Sequence, residues 1–151
     1  MSVPNSEKNR KRILAIDDDP AILLFVRSSL ENAGYEVEVA ETGPEGLLRL
    51  RRSRPDLILL DIEMPGMNGF EVAARIRKRT DDDLKGAMRK SLDTVQSFQI
   101  PILFLTARAA VMDVKQAADV GADGYLVKPC QAEDLLRRVN EVLNKSSQGS
   151  D

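Results

Sequence analysis

The sequence predicts an α/β fold in which helices cover both faces of a doubly wound parallel sheet. Short apolar runs alternate along the chain with longer segments whose apolar residues recur at helical spacing. Two of the runs, 57–60 (LILL) and 102–105 (ILFL), are apolar at every position, which is typical of parallel strands buried on both faces. The length of 151 residues and the hydrophobic content of 42% suffice for one domain with its own core.

The first half of the chain contains two strand–helix units before the first fully apolar strand. Residues 12–16 form the first strand, and a helix begins at Pro20, where a missing N–H is harmless. This helix ends near Gly34, a residue suited to a helix C-terminus. Residues 35–40 alternate between apolar and polar, as in a half-buried strand near a sheet edge, and Thr42 opens the second helix.

The second half continues the alternation. After the strand at 57–60, the predicted elements are a turn-rich loop at 65–69, a helix from Phe70, a strand at 102–105, a helix over about 110–120, a strand at 124–127 and a final helix over 132–143. We expect residues 1–11 to be a flexible leader, 12–145 to be the domain and 146–151 to be a flexible tail.

The composition excludes several classes of function. Without histidine, the chain forms neither a Ser-His-Asp triad nor a His-ligated metal site, and it cannot itself be a histidine kinase. The single cysteine, Cys130, excludes an internal disulfide and a cysteine-based zinc site. A net charge of −2 gives no bulk attraction for nucleic acid. Because no stretch reads as a secretory signal or a membrane span, we expect a cytoplasmic protein.

Polar side chains stand at the carboxyl ends of four predicted strands: Asp17 and Asp18 after the first, Asp61 after the third, Thr106 after the fourth and Lys128 after the last. Ligands of doubly wound sheets bind at this edge. Carboxylates that converge to about 4 Å repel by about 4 kcal/mol per pair at an effective dielectric constant near 20, so the site requires a cation. Mg²⁺ suits carboxylate and phosphate oxygens, and we expect an oxygen of Asp61 to attack phosphorus there.

Four segments carry a resemblance to a known family: ILAIDDDP at 13–20, DLILLDIEMPGMNGFEV at 56–72, ILFLTA at 102–107 and GADGYLVKP at 121–129. Together and in this order they resemble the receiver domain of two-component response regulators, including the chemotaxis regulators. The resemblance covers about residues 12–144. It implies a flavodoxin-like sheet of five parallel strands in the order 2-1-3-4-5 with five helices.

The resemblance also implies a role for each matched residue. These are Asp61 as phosphoacceptor; Asp17, Asp18, Asp61 and the backbone carbonyl of Glu63 as the Mg²⁺ site; Thr106, Ala107 and Lys128 as the phosphoryl-binding groups; and Thr106 with Tyr125 as the switch pair. Taken alone, Tyr125 would be an aromatic that packs on the strand. The Lys128–Pro129 bond is expected to be cis, which X–Pro bonds allow at modest cost.

The partners implied by the resemblance are a histidine kinase or a His-phosphotransfer protein upstream and a protein target downstream. With no output segment after the last helix, we interpret the chain as a stand-alone regulator or relay module, or as a receiver taken from a larger protein. Phosphorylation would change the surface formed by the fourth helix, the last strand and the final helix. This surface is a frequent site of two-fold pairing, so a phosphorylation-linked homodimer is a further hypothesis. We expect no membrane contact and, because no helix-turn-helix remains after the five units are assigned, no nucleic-acid binding by this chain itself.

The sequence departs from the family pattern at three places. The chain between Asp61 and Thr106 is longer than usual, with a surplus at 79–99 that predicts an additional helix or an extended third helix. Its apolar stripe either packs onto the domain or forms a docking or dimerisation face. Cys130 stands where phenylalanine is common, as a small buried residue or a redox sensor. Glu63 and Arg108 flank the phosphoryl site, and we expect them to pair across its mouth and to tune autodephosphorylation.

Three other functions fit the sequence less well. A haloacid-dehalogenase-like phosphatase needs an aspartate two residues after the nucleophile, where this chain has Glu63. A flavin-binding electron carrier needs a phosphate-cradling loop after the first strand, where this chain has Asp-Asp-Asp-Pro. A pseudo-receiver that acts only as an interaction module would not need the acidic residues, Thr106 and Lys128 together.

Overall fold

The structure, a computed structural model, describes residues 9–88, 100–108 and 113–148. One sheet contains five parallel strands in the order β2-β1-β3-β4-β5. The strands are β1 (Arg12–Ile16), β2 (Glu36–Ala40), β3 (Leu57–Asp61), β4 (Ile102–Thr106) and β5 (Gly124–Val127). The helices are α1 (Pro20–Asn32), α2 (Gly43–Arg52), α3 (Gly69–Met88), α4 (Val114–Asp119) and α5 (Ala132–Gln148). The predicted fold class and strand order are confirmed.

An apolar core lies on each face of the sheet. Alternate residues of β3 supply the two cores, since Leu59 belongs to the cluster that packs with α1 and α5, whereas Leu60 belongs to the cluster that packs with α2 and α3. Every residue of β3 and β4 is buried. This is why the two strands are apolar at successive positions instead of alternating.

The helix N-termini are fixed by side-chain caps close to the carboxyl edge of the sheet. The Asp19 carboxylate accepts a hydrogen bond from the Ala21 N–H at 2.9 Å, and the Thr42 hydroxyl accepts one from the Glu45 N–H at 3.1 Å. Asn68 caps α3 in the same way through its side-chain carbonyl. These contacts satisfy N–H groups that lack a partner in the first helical turn. They therefore hold the loops after β1, β2 and β3 in defined positions.

Three helix boundaries differ from the prediction or refine it. The third helix continues unbroken to Met88, which favours the extended-helix alternative for the first half of 79–99; residues 89–99 lie outside the described part of the chain. The fourth helix begins at Val114 within the described residues, where the Asp113 carboxylate caps it; the predicted start near 110 falls on residues 109–112, which lie outside the described part of the chain. The last helix runs to Gln148, not 143, so the expected tail at 146–151 begins as helix. The first helix-breaking residue after 143 is Gly149.

Arg77 joins three backbone segments at the edge of the sheet opposite the carboxyl ends. Its guanidinium donates hydrogen bonds to the carbonyls of Val120 at 2.7 Å, Ile100 at 2.7 Å and Gly121 at 3.2 Å. The side chain thereby ties α3 to the residue that leads into β4 and to the turn between α4 and β5. Over the described residues, no helix has the length and apolar composition needed to cross a bilayer.

Candidate functional site

The carboxyl ends of four strands bring the predicted polar residues to one place. Asp17 follows β1, Asp61 ends β3 and Thr106 ends β4, and all three side chains are buried. Lys128 follows β5, and its backbone N–H donates to the Thr106 carbonyl at 2.7 Å, which continues the pairing of β4 with β5. The sheet order places β3 between β1 and β4. Asp61 is therefore the central carboxylate of the site.

Three aspartates form an acidic cluster. Asp17, Asp18 and Asp61 each offer one carboxylate oxygen, and these oxygens all lie within 4.8 Å of one another. The Lys128 ammonium lies 2.8 Å from a carboxylate oxygen of Asp17 and 3.2 Å from one of Asp61. One positive charge thus faces three carboxylates. An all-oxygen donor set with excess negative charge is the kind that Mg²⁺ prefers, so the residues present fit this ion.

Burial and neighbouring charges perturb the titration of the two central groups. Desolvation, and then the charge of Asp17, raise the pKa of Asp61 from 3.8 to about 7, although Lys128 acts in the opposite direction. Desolvation disfavours the charged form of Lys128, but its hydrogen bond and charge interaction with Asp17, together with those of Asp61, outweigh this effect and raise the pKa of Lys128. Without a further cation, Asp61 is therefore partly protonated near neutral pH, while Lys128 stays charged.

The loop after β1 holds Asp17 in place. Its backbone N–H donates to the Ala40 carbonyl at 3.1 Å, and one of its carboxylate oxygens accepts from the Asp19 N–H at 2.9 Å. The other oxygen accepts from Lys128. Both oxygens of this fully buried carboxylate are thus engaged. Asp18 is exposed, so the acidic pair consists of one fixed, buried carboxylate and one that reaches solvent.

Gly69 allows α3 to pack directly against the backbone of the central aspartate. Its N–H donates to the Ile62 carbonyl at 2.8 Å, and a Cβ at this position would come within 2.8 Å of the Ile62 Cα and closer still to the Asp61 carbonyl oxygen. The sequence identified this glycine as a turn residue only. Its role in the site could not be recognised, because the close contact depends on where α3 meets β3.

Thr106 and Tyr125, the predicted switch pair, lie on neighbouring strands. The Thr106 hydroxyl donates to the Arg108 carbonyl at 2.8 Å and accepts from the Arg108 N–H at 3.1 Å. Tyr125 is 44% exposed. In the register of β4 and β5, Tyr125 pairs with Phe104 and Val127 pairs with Thr106, so all four side chains share one face of the sheet.

The remaining predicted residues lie at the rim of the site. Ala107, Glu63 and Arg108 are exposed. No ion pair joins Glu63 to Arg108, although both belong to the described part of the chain, so the expected pairing across the mouth is not observed. Their separate loops keep both long side chains in solvent. The Lys128–Pro129 bond is cis, as predicted. Cys130 is half-buried, and burial raises the pKa of its thiol.

Comparisons with a family model and with curated proteins identify the same family. The family model described as "Response regulator receiver domain" matches residues 13–140. Response regulator MprA of Mycobacterium leprae (strain TN) is 40% identical over 135 residues, which cover 89% of this chain and 52% of the relative. Transcriptional regulatory protein AfsQ1 of Streptomyces coelicolor is 41% identical over 138 residues, with coverage of 91% and 53%. The chain spans about half the length of these curated relatives.

A solved structure agrees with the sequence comparison. Response regulator protein TrrA from Thermotoga maritima, in complex with Mg(2+)-BeF, has a TM-score of 0.69 and 34% sequence identity to this chain. The match covers 87% of this chain and 98% of TrrA. The similarity therefore extends over almost the whole of that structure.

Proposed function

The chain belongs to the response regulator receiver domain family, and we propose that it accepts a phosphoryl group on Asp61 from a histidine kinase or a His-phosphotransfer protein. The observation that carries this proposal is the burial of Asp61 between two further aspartates and Lys128. Such a carboxylate is too enclosed for an ordinary surface role, and its neighbours are the groups that phosphoryl transfer requires. The resulting function is that of a phosphorylated signalling switch in a two-component system or phosphorelay.

Mg²⁺ is the proposed cofactor. Asp17, Asp18, Asp61 and the backbone carbonyl of Glu63 would hold it, with Asp17 acting through water. The bound ion supplies positive charge that favours the ionised form of Asp61 and offsets the charge of the phosphoryl oxygens. The raised pKa of Asp61 is consistent with this role, because burial and then the charge of Asp17 disfavour its ionised form despite Lys128, and a further cation would favour that form.

The transfer needs no other nucleophile. A carboxylate oxygen of Asp61 forms a bond to phosphorus while the P–N bond of the donor's phosphohistidine breaks, and the imidazole nitrogen keeps the electron pair. Lys128 binds one phosphoryl oxygen, and the Thr106 hydroxyl with the Ala107 N–H binds another. These donors stabilise the charge on the equatorial oxygens in the transition state. The protein contributes positioning and charge and does not act on a separate substrate as an enzyme does.

The signal ends when water attacks phosphorus. The bond between phosphorus and the Asp61 oxygen then breaks, and inorganic phosphate leaves. Glu63 and Arg108 lie on the loops beside the site and are exposed, so we propose that they control how water reaches the phosphoryl group. The Mg²⁺-dependent self-phosphorylation and autodephosphorylation are the two reactions of the module.

The proposed switch depends on the contacts of Thr106. Its hydroxyl is hydrogen-bonded to the backbone of Arg108 in the following loop, and it must break these bonds to reach a phosphoryl oxygen. A phosphoryl group adds about −1.5 to −2 charge and strong acceptors, which favours that movement. The movement vacates space on the face of the sheet shared with Tyr125, whose exposed ring can then turn inward. The surface of α4, β5 and α5 changes as a result.

We propose a protein as the reader of this surface, in the cytoplasm and without direct membrane or nucleic-acid contact by the domain itself. Stand-alone and relay roles fit this output. The matched residues cover only 53% of AfsQ1, which is named as a transcriptional regulatory protein, so a further segment of a longer protein is the alternative reader. Phosphorylation-linked pairing of two copies through the same surface is a further part of the proposal.

The test is intact mass spectrometry after incubation with acetyl phosphate, with and without Mg²⁺. We expect one added phosphoryl group, dependent on Mg²⁺, in the unaltered protein and in Asp119→Asn, and none in Asp61→Asn. Asp119 is exposed and lies on α4, so its substitution controls for loss of a carboxylate elsewhere. Beryllofluoride with Mg²⁺ provides a second readout, because it does not depend on the lifetime of the phosphoryl group.

Two results would contradict the proposed phosphorylation of Asp61. A Mg²⁺-dependent adduct that persists in Asp61→Asn would assign the acceptor to another residue. If no adduct forms and beryllofluoride with Mg²⁺ leaves the NMR signals of Tyr125 unchanged, the switch function is refuted and the interaction-module alternative stands.

A further inference from the structure

A cavity of about 180 Å³ lies beside the acidic site, between α1, the end of β4 and the start of α5. Val26, Leu105 and Leu135 line it and are all at most 2% exposed, so they form its inner wall. Phe25 and Cys130 also line it but are half-buried, so they stand at its mouth. The cavity thus has a buried, apolar inner wall and opens to the surface.

The size of this space is that of a small-molecule site, and its opening to the surface gives a ligand access. An apolar cavity of about 150 Å³ is known to stay dry and to take up benzene, because water finds too few polar partners there. The polar groups at the present cavity are the weakly polar thiol of Cys130 and the Lys128 ammonium, which is already bonded to Asp17 and Asp61. Water therefore gains little by entering.

We propose that this cavity is a binding site for a compact, uncharged aromatic or branched aliphatic molecule of about six to nine heavy atoms. The lining disfavours an ionised ligand, because such a group would lose its hydration while the Lys128 ammonium is already paired with Asp17 and Asp61. The volume excludes larger cofactors. The half-buried ring of Phe25 at the mouth offers an aromatic ligand an edge-to-face contact. This assignment does not depend on the proposed phosphorylation of Asp61.

The cavity also contacts the acidic site directly. The Lys128 side chain lines the cavity, and its ammonium binds the two buried carboxylates. Leu105, in the inner wall, immediately precedes Thr106. A bound molecule therefore packs beside two residues of the site without touching the carboxylates. Its occupancy should be detectable at Lys128 even when no phosphoryl donor is present.

The test is a titration of the whole chain with toluene and with indole, followed by ¹³C NMR of methyl groups and of the Lys128 Cε. We expect saturable shifts at the methyl groups of Val26, Leu105 and Leu135 and at Lys128, and no such shifts with benzoate. Cys130→Phe places a ring in the cavity and should weaken binding at least tenfold. Cys130→Ser leaves the volume nearly unchanged and should bind as the unaltered protein does.

Thermal unfolding of each variant verifies that it is folded, and Val26→Phe replaces Cys130→Phe if the latter does not fold. Absence of saturable methyl shifts up to the solubility limits of toluene and indole would refute the site. So would equal affinities of the Ser and Phe variants, since binding would then lie elsewhere. Benzoate binding as tight as that of toluene would overturn the assignment to an uncharged ligand.

Discussion

Asp61→Asn should stabilise the metal-free protein, and more strongly at high pH. The folded state raises the pKa of Asp61 from 3.8 to about 7, first through desolvation and then through the charge of Asp17. Between these two values, folded Asp61 holds a proton that the unfolded chain releases. A carboxyl group of this kind stabilises the fold fully below its unfolded pKa, and the contribution is lost as pH rises through the folded pKa. Asparagine does not titrate, so the stability of Asp61→Asn lacks this decrease as the pH rises.

The magnitude follows from the part of this interval that can be measured. From pH 5 towards pH 7, the unfolded state is ionised at this position while the folded state is still mostly protonated, becoming half ionised at about pH 7. At about 1.4 kcal/mol per pKa unit, the stability of the unaltered protein should fall by about 3 kcal/mol relative to Asp61→Asn between pH 5 and pH 8. Comparing two pH values cancels the constant difference between a carboxyl and an amide group.

The assay is urea denaturation followed by circular dichroism, in EDTA and at fixed ionic strength, with linear extrapolation to water. The exposed Asp119→Asn is the matched control and should follow the unaltered protein at every pH. Adding Mg²⁺ at pH 8 should stabilise the unaltered protein more than Asp61→Asn, because binding to the folded state alone raises its stability. Parallel stability profiles of the two proteins from pH 5 to pH 8 would refute the reasoning.

Three further substitutions, two at the site and one at the opposite edge of the sheet, are tested by the same denaturation assay. Lys128→Met keeps the apolar stem but leaves Asp17 and Asp61 without their ammonium. The free energy of unfolding at pH 8 should fall by about 3–5 kcal/mol and should recover in part with Mg²⁺. An unchanged stability would show that the ion pair is not formed. Gly69→Ala should lower the free energy of unfolding by about 1–3 kcal/mol, since the added methyl group meets backbone atoms that cannot rotate away. An unchanged stability would mean that α3 does not pack on Ile62 as described. Arg77→Met should lower the free energy of unfolding by about 2–4 kcal/mol, because three backbone carbonyls lose a charged hydrogen-bond donor. Amide hydrogen exchange at the start of β4 should become faster. An unchanged exchange rate would contradict the role of Arg77 in tying α3 to β4.

The sequence contained most of the information about where the site forms. The fully apolar runs at 57–60 and 102–105 specify buried parallel strands, and the topology of such a sheet brings their carboxyl ends together. Asp61, Thr106 and Lys128 could therefore be placed at one edge before any coordinates were known. Helix ends were predicted less well, because they depend on single capping contacts such as that of Asp113 at the start of α4.

Other features depend on three-dimensional contacts that no local pattern reports. The pKa of Asp61 depends on burial and on the distance to Asp17, and the orientation of the Thr106 hydroxyl depends on the path of the loop to Arg108. The expected Glu63–Arg108 pair fails for the same reason, since adjacency to a site does not fix where long exposed side chains point. The cavity next to Lys128 likewise arises from how α1 and α5 meet the sheet.

The long helix α3 connects the site to a distant part of the domain. This helix begins where Gly69 touches the Asp61 backbone and continues for 20 residues to Met88, a span of about 30 Å at 1.5 Å per residue. A helix that pivots by about 5° at one end moves its other end by about 2.5 Å over such a length. Because Arg77 ties α3 to the sheet between its two ends, an adjustment of the backbone at Asp61 reaches the far end of the helix only if these hydrogen bonds adjust with it. The long third helix can act as a lever that turns chemistry at one edge of the sheet into displacement well beyond the opposite edge.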